Sequence, residues 1–256
     1  MTTEVHHLDC GRLESPLGPA CCHCLAIVSG HCVALVDSGI GLLDCADPEA
    51  RLGRELIDLA GFRFDPELAA VRLLASRGIS PERVTDIVLT HADPDHTGGL
   101  ADFPGATVHL AAEELEAVRS GAPRYVAAHF EHSPRWQANT PSNTELFDVP
   151  VRPVTVCGDV PLYLVELFGH TAGHCGVLIP QRDRWLLHAG DAYYLAAELD
   201  SEPHPVDAMA EAAAEDDAAR RASLDSVRRL RSEHGDKLDI TGYHDTAEFE
   251  RYAALA

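Results

Sequence analysis

The chain has 256 residues, with 41 Asp and Glu against 20 Lys and Arg, a formal charge of −21 and 46% hydrophobic residues. That apolar share can fill a sizeable core, which excludes a disordered chain, and so acidic a surface repels a phosphate backbone, which sets nucleic acid aside as a partner. The start, Met1 to His7, lacks a basic region followed by an apolar stretch. No apolar run approaches the roughly 18–20 residues that cross a bilayer. A single cytoplasmic domain over residues 1–256, with no membrane partner, is therefore expected.

In chain order, apolar residues alternate over 22–28, meet Ser29-Gly30, and resume at Cys32-Val33-Ala34-Leu35-Val36, the pattern of a β-hairpin. Eight cysteines (10, 21, 22, 24, 32, 45, 157 and 175) show no paired C-x2-C hooks, so they read as buried structural thiols rather than a zinc knuckle or a disulfide framework. A glycine turn, Asp37-Ser38-Gly39-Ile40-Gly41, follows. Residues 51–60 and 66–77 carry helical spacing, with Pro66 in a first turn and Gly78 as a stop. A short strand over 85–90 ends directly at His91; another covers 106–110, and a helix 111–119. From 120 to 142, Pro123, Pro134 and Pro141 break the pattern around Tyr125, Phe130 and Trp136. A loop this long is usually functional, so it is expected to wall a substrate pocket, with His129 and His132 as solvated loop residues. Four strands follow (149–156, 161–167, 176–180, 184–188), then a helical region over 206–230, a strand over 238–241 and a helix over 246–255. The acidic run at 211–217 reads as an exposed face, with Asp216 paired to Arg220 and Asp217 to Arg221. The order of elements suggests two similar halves packed as one sandwich.

The chemistry gathers at strand ends. His91-Ala92-Asp93-Pro94-Asp95-His96-Thr97-Gly98-Gly99 puts four potential ligands in six residues, which only a loop can aim at one point. Gly169-His170-Thr171-Ala172-Gly173-His174, Ala189-Gly190-Asp191 and Gly242-Tyr243-His244 have the same placement. Histidine and aspartate beside glycines at strand ends build a pocket on a sheet edge.

In these motifs the chain resembles the metallo-β-lactamase superfamily, whose hallmark is H-x-H-x-D-H followed by later His, Asp and His. Cys22-His23-Cys24, Leu100-Ala101-Asp102-Phe103-Pro104 and the run from Trp185 to Ala192 resemble its lactonase-type hydrolases. The resemblance implies an α/β fold, an αβ/βα four-layer sandwich of two mixed sheets flanked by helices, with two divalent metal ions along one edge. It places a first metal on His91, Asp93 and His170, a second on Asp95, His96 and His244, and Asp191 between them. It implies a metal-dependent hydrolase, with Asp95 in the catalytic centre, whose metal-held hydroxide opens an ester-like carbonyl of a small molecule, a lactone before a thioester or aryl ester. Tyr194 would hydrogen-bond the substrate carbonyl or leaving oxygen, unless Tyr193 beside it is the inward ring; Tyr125, Phe130, Trp136 and Tyr193 would touch substrate. His174 would support a ligand rather than be one. A homodimer burying the aromatic loop is a further expectation.

Position 93 departs from the family pattern, which has histidine there. With Asp93, Asp95 and Asp191, two divalent ions and one hydroxide, the site sums to about neutral instead of about +1, and its donors shift toward oxygen. Zinc is the first expectation, with iron or manganese behind it. A carboxylate-rich site also keeps a di-iron redox enzyme as an alternative.

Overall fold

Strands with apolar residues on both faces call for a core on each side, and the chain builds two such sheets. The structure, a computed structural model, describes residues 3–15, 18–200 and 203–254. Met1 and Thr2 at the start, and Leu255 at the end of the expected last helix, lie outside the described residues. The first half runs β1 (Thr3–Ser15), β2 (Gly18–Ser29), β3 (Cys32–Val36), α1 (Leu42–Ala46), α2 (Pro48–Leu52), α3 (Arg54–Ala60), β4 (Phe62–Arg63), α4 (Ala70–Ser76), β5 (Val84–Val88), α5 (Pro94–Thr97), β6 (Thr107–Ala111), α6 (Ala112–Arg119) and β7 (Arg135–Asn139). The second runs β8 (Thr144–Leu146), β9 (Val149–Val156), β10 (Val160–Glu166), β11 (Cys175–Pro180), β12 (Trp185–His188), α7 (Asp207–Ala213), α8 (Asp217–His234), β13 (Leu238–Thr241) and α9 (Thr246–Ala253).

The sheets are ordered β4-β1-β2-β3-β5-β6-β7 and β13-β12-β11-β10-β9-β8. Both are mixed: β3, β5, β6 and β7 run parallel beside an antiparallel β1-β2-β3 meander, and β13 is parallel to β12 at the edge of an antiparallel sheet. The period of two sorts side chains into separate cores. Cys24, Ala26, Val33 and Leu35 face a core shared with α4 and α6. Their neighbours Leu25, Ile27, Ala34 and Val36 meet Leu162, Leu164, Val177 and Ile179 between the sheets. Val165 and Leu178 turn the other way, onto Leu224, Val227 and Leu230 of α8. Helix, sheet, sheet and helix form the expected four layers. No helix among the described residues is long and apolar enough to cross a membrane.

The departures have local causes. β1 was not anticipated because its pattern is broken by polar residues that are buried and paired: His7 bonds His23 at 2.8 Å, and Asp9 accepts from the Cys22 N–H. Gly53, at φ 77°, divides the helix expected over 51–60 into α2 and α3. The region 206–230 divides at Ala214 to Asp216, where the Asp216 carboxylate caps α8 by accepting from the Ala219 N–H. Asp216 therefore does not pair with Arg220; Asp217 holds both Arg220 and Arg221, and Arg220 is buried rather than on an exposed face. The segment 120–142 contains a 3₁₀ turn and β7, which extends the first sheet beside β6. Not every cysteine is a thiol: Cys32 and Cys157 form a disulfide between the two sheets, while Cys10, Cys21, Cys22, Cys24 and Cys175 are free and buried.

Candidate metal centre

Two parallel pairs, β3 with β5 in one sheet and β12 with β13 in the other, lead into loops that meet at one edge of the sandwich. Asp37 follows β3, the His91 to His96 loop follows β5, Asp191 follows β12 and His244 follows β13. The Thr90 carbonyl accepts from the Cys175 N–H at 2.9 Å, joining the two sheets at this edge. His174 fixes the next loop: its Nδ1–H donates to the Leu167 carbonyl at 2.8 Å, and its Nε2 accepts from the Asp191 N–H at 2.9 Å. Gly190 lets that ring approach, since a Cβ there would sit 2.7 Å from His174 Nε2 on a backbone with φ +55°. His174 thus supports Asp191.

Each candidate histidine spends Nδ1 on the protein and turns Nε2 inward. His96 Nδ1–H donates to Asp37 at 2.9 Å, and His244 Nδ1–H to the Cys21 carbonyl at 3.0 Å. His91 Nδ1 meets the Thr90 hydroxyl at 3.1 Å, and His170 Nδ1 meets the Tyr194 hydroxyl at 3.3 Å. For His96 and His244 the acceptor-only partner places the proton on Nδ1 and leaves Nε2 free to ligate. Donor atoms gather in two sets, His91–His170–Asp191 and Asp95–His96–His244. His170 Nε2 lies 3.5 Å from Asp191, His244 Nε2 lies 3.2 Å from Asp191 and 3.5 Å from Asp95, and His96 Nε2 lies 3.4 Å from Asp191. Donors about 2.0–2.1 Å from a common tetrahedral ion are about 3.4 Å apart, so the spacing fits. His91 Nε2, His96 Nε2 and Asp191 Oδ1 are buried with no hydrogen-bond partner among the described residues, a condition that an ion would relieve.

The electrostatics are those of a tight mixed cluster. Burial alone would push Asp191 up, yet His244 and His96 hold its carboxyl well below the usual range. Burial raises Asp95 against the pull of His96 and His244. His91 is held well below its ordinary value by burial and by His96.

Asp93 stands apart. Its Oδ2 lies 3.2 Å from His91 Nε2 and 3.1 Å from His170 Nε2, but its carboxylate also receives Nε and Nη2 of Arg124, each at 2.5 Å. The same Nη2 lies 2.8 Å from His170 Nε2, and Nη1 donates to the Ala213 carbonyl at 2.6 Å. Burial opposes ionisation of Asp93, but His91, His170 and Arg124 hold it well below the usual carboxylate range.

The aromatic residues divide. Tyr194 stacks on His244, with ring centroids 5.6 Å apart, and is the inward tyrosine. Tyr193 is a correction: it is buried and its hydroxyl donates to Glu248 at 3.0 Å, because successive side chains of extended backbone point opposite ways. Tyr125 donates to Glu114 at 2.8 Å. Phe130 and Trp136 pack edge to face, 5.5 Å apart, against the first core, and Trp136 belongs to β7 rather than to a loop. A cavity of about 300 Å3 is lined by Tyr125 and Phe130, with no metal-site donor in its wall. His129 is a second correction: it is fully buried between the Thr97 hydroxyl, at 2.8 Å, and Asp44, at 3.2 Å.

Sequence reasoning missed Arg124, Glu114 and Tyr243. Tyr243 stacks on His96 at 3.8 Å and donates to the Asp95 carbonyl at 2.7 Å. Arg124 left one signal, since an additional buried carboxylate at 93 requires a counter-charge.

A family model described as the metallo-beta-lactamase superfamily matches residues 17–238. A probable metallo-hydrolase of Mycobacterium tuberculosis is 36% identical over 203 residues, which cover 77% of this chain and 64% of that protein. An N-acyl homoserine lactonase of Rhizobium radiobacter is 27% identical over 173 residues, covering 65% of this chain and 62% of its own length. The chain therefore spans less than two thirds of the length of these curated relatives. A solved N-acyl homoserine lactone hydrolase, with the product N-hexanoyl-L-homoserine at its catalytic metal center, superposes with a TM-score of 0.75 at 17% identity, over 98% of this chain and 97% of that one. At that identity the likeness is one of fold.

Proposed function

This chain belongs to the metallo-β-lactamase superfamily, and from that premise we propose that it is a metal-dependent hydrolase that opens an ester-like carbonyl of a small molecule, a lactone in the first instance. The observation that carries the reading is the pair of donor sets on one sheet edge, with unpartnered Nε2 and Oδ1 atoms aimed inward. His91, His170 and Asp191 would hold one divalent ion, and Asp95, His96 and His244 a second, with Asp191 facing both. Ions held there lower the pKa of water and polarise a carbonyl. Zinc suits the imidazole-rich donors.

The protein's own groups then divide the remaining work. His170 Nδ1–H donates to the Tyr194 oxygen, which leaves the phenol proton free for the substrate oxygen. Burial, Asp191 and Asp93 push that hydroxyl well above the usual tyrosine range, so it stays a donor at neutral pH. Asp95 takes the proton of the attacking water, and the same proton goes to the ring oxygen as it leaves. The product is a hydroxy acid. The homoserine lactonase among the relatives supports a lactone over a thioester or an aryl ester.

A panel of lactones, thioesters and aryl esters, run on protein of measured metal content, tests this. Lactone turnover is expected, and Tyr194→Phe should lower kcat about 100-fold at unchanged metal content. Full activity in the variant removes Tyr194 from the mechanism. Metal-loaded protein that cleaves none of the panel refutes the reading, and an iron chromophore that bleaches on reduction would replace it with redox chemistry.

A further inference from the structure

Arg124 Nη2 sits where two candidate ligands of the first metal converge. It lies 2.5 Å from Asp93 Oδ2 and 2.8 Å from His170 Nε2, and those two atoms are 3.1 Å apart. The lone pairs that would point at an ion thus point at a guanidinium nitrogen. The guanidinium is always charged, and its planar fork matches a carboxylate with two parallel bonds. It is also anchored from behind, since Nη1 donates to the Ala213 carbonyl at the end of α7. Among the described residues, nothing comparable faces the second set: Asp95 meets only His96 and His244 as ionic partners. His91 Nε2 contacts Asp93 but is left without a hydrogen bond, so the first position is only partly satisfied by the arginine.

We propose that Arg124 is a resident cation of the first metal position, so that an ion binds to His91, His170 and Asp191 only as the guanidinium withdraws from His170. The inference rests on the metal-centre reading above. It makes the two positions unequal: Asp95, His96 and His244, with Asp191, retain one ion firmly, and the His91–His170 position exchanges. Arg124 is a positioning residue here, acting on Asp93 and His170.

The experiment is a zinc titration of metal-stripped protein against a chromophoric chelator, with elemental analysis after gel filtration. The wild type is expected to retain about one zinc per chain and to bind the second at least 100-fold more weakly. Arg124→Gln removes the charge and keeps a planar polar end; it should retain two, with the weaker affinity raised at least tenfold. Arg124→Lys, which keeps a cation, should resemble the wild type. Far-UV circular dichroism and the zinc-dependent rise in Tm report on folding in each variant. A wild type that retains two zinc ions of matched affinity overturns the proposal, whatever the variants do, and leaves the metal-centre reading intact. A folded Arg124→Gln that titrates like the wild type also overturns it. Wild type that retains no zinc, manganese or iron fails at the earlier step and removes both readings.

Discussion

Replacing Glu114 by glutamine would withdraw one acceptor and one charge from the strut between the two histidine-bearing loops. Glu114 lies on α6, fully buried, and its carboxylate takes four donors. Oε1 accepts from the Ala92 N–H and the Tyr125 hydroxyl, both at 2.8 Å. Oε2 accepts from the Thr171 hydroxyl at 2.7 Å and the Gly173 N–H at 3.1 Å. Ala92 is next to His91 and Thr171 is next to His170, so one side chain sets the distance between two candidate ligands. The contact is tight: a Cβ on Gly173 would lie 2.3 Å from the Glu114 backbone nitrogen. A glutamine amide can face either pair. In each orientation the hydroxyl can rotate and accept from the amide, whereas the backbone N–H cannot, so one buried N–H loses its partner. That loss costs about 1–3 kcal/mol, and the bonds that remain give up their charge assistance, about 1 kcal/mol more. The carboxylate is itself raised by burial, a cost that glutamine escapes, so the net expectation is about 2–3 kcal/mol. Urea denaturation reads the stability, and zinc competition should show a 10–100-fold weaker affinity, the usual effect of losing a group that orients ligands. Glu116→Gln, on the exposed face of the same helix, serves as the control. A Glu114→Gln protein with wild-type stability and zinc affinity would refute the strut.

Two further predictions concern stability away from the site. His7 is buried and pushed down to about 4, mainly by burial, with His188 and His6 adding to the shift. The unfolded chain takes up a proton near pH 6.5 that the folded chain refuses until about pH 4. Stability present above pH 6.5 is therefore lost as the pH falls through that window, by up to about 3 kcal/mol. His7→Gln should flatten this limb of urea midpoints measured from pH 7 to 4; an unchanged slope counts against the assignment. The Cys32–Cys157 bridge closes a separation of 125 residues, and loop entropy assigns such a closure up to about 4–5 kcal/mol. Reductant should lower the urea midpoint of the wild type and leave Cys157→Ser unaffected, and equal responses would show that the bond contributes nothing.

The sandwich was legible because its strands carry an uninterrupted code. Leu162 and Leu164 against Tyr163 and Val165, or Val33 and Leu35 against Ala34 and Val36, state both faces of a strand in four residues. β1 was not legible because His7 and Asp9 are buried polar residues whose partners, His23 and Cys22, lie on another strand. β7 was hidden for a related reason: an edge strand reading Arg-Trp-Gln-Ala-Asn, between prolines, has little to bury on its outer side. At the site, a His- and Asp-lined pocket was readable from strand-end spacing, since these residues follow from where β5, β10, β12 and β13 stop, and the resemblance to the family motif named the candidate donors among them. The groups that orient them were not. Glu114, Tyr243 and Arg124 reach the residues they orient from 22 to 148 positions away in sequence, and His129 looks like a loop histidine until Asp44 and Thr97 are folded around it.

Arg124 also changes what Asp93 means. Read alone, Asp93 adds a negative charge, brings the loaded centre from about +1 to about neutral, and shifts the donors toward oxygen, which suits harder ions better than an all-imidazole first site does. The fold puts a permanent positive charge 2.5 Å from that carboxylate. Asp93 and Arg124 together carry the same net charge as the neutral histidine of the family pattern, so the neutral sum that follows from Asp93 alone loses its premise. The cancellation does not restore a histidine, however. A histidine would offer the first position a neutral donor with nothing to displace, whereas the pair offers a carboxylate already held by two hydrogen bonds, with the same guanidinium also on His170. What distinguishes this chain from the H-x-H-x-D-H pattern is therefore where a cation sits before metal arrives, and occupancy of the first position is the quantity on which that difference acts.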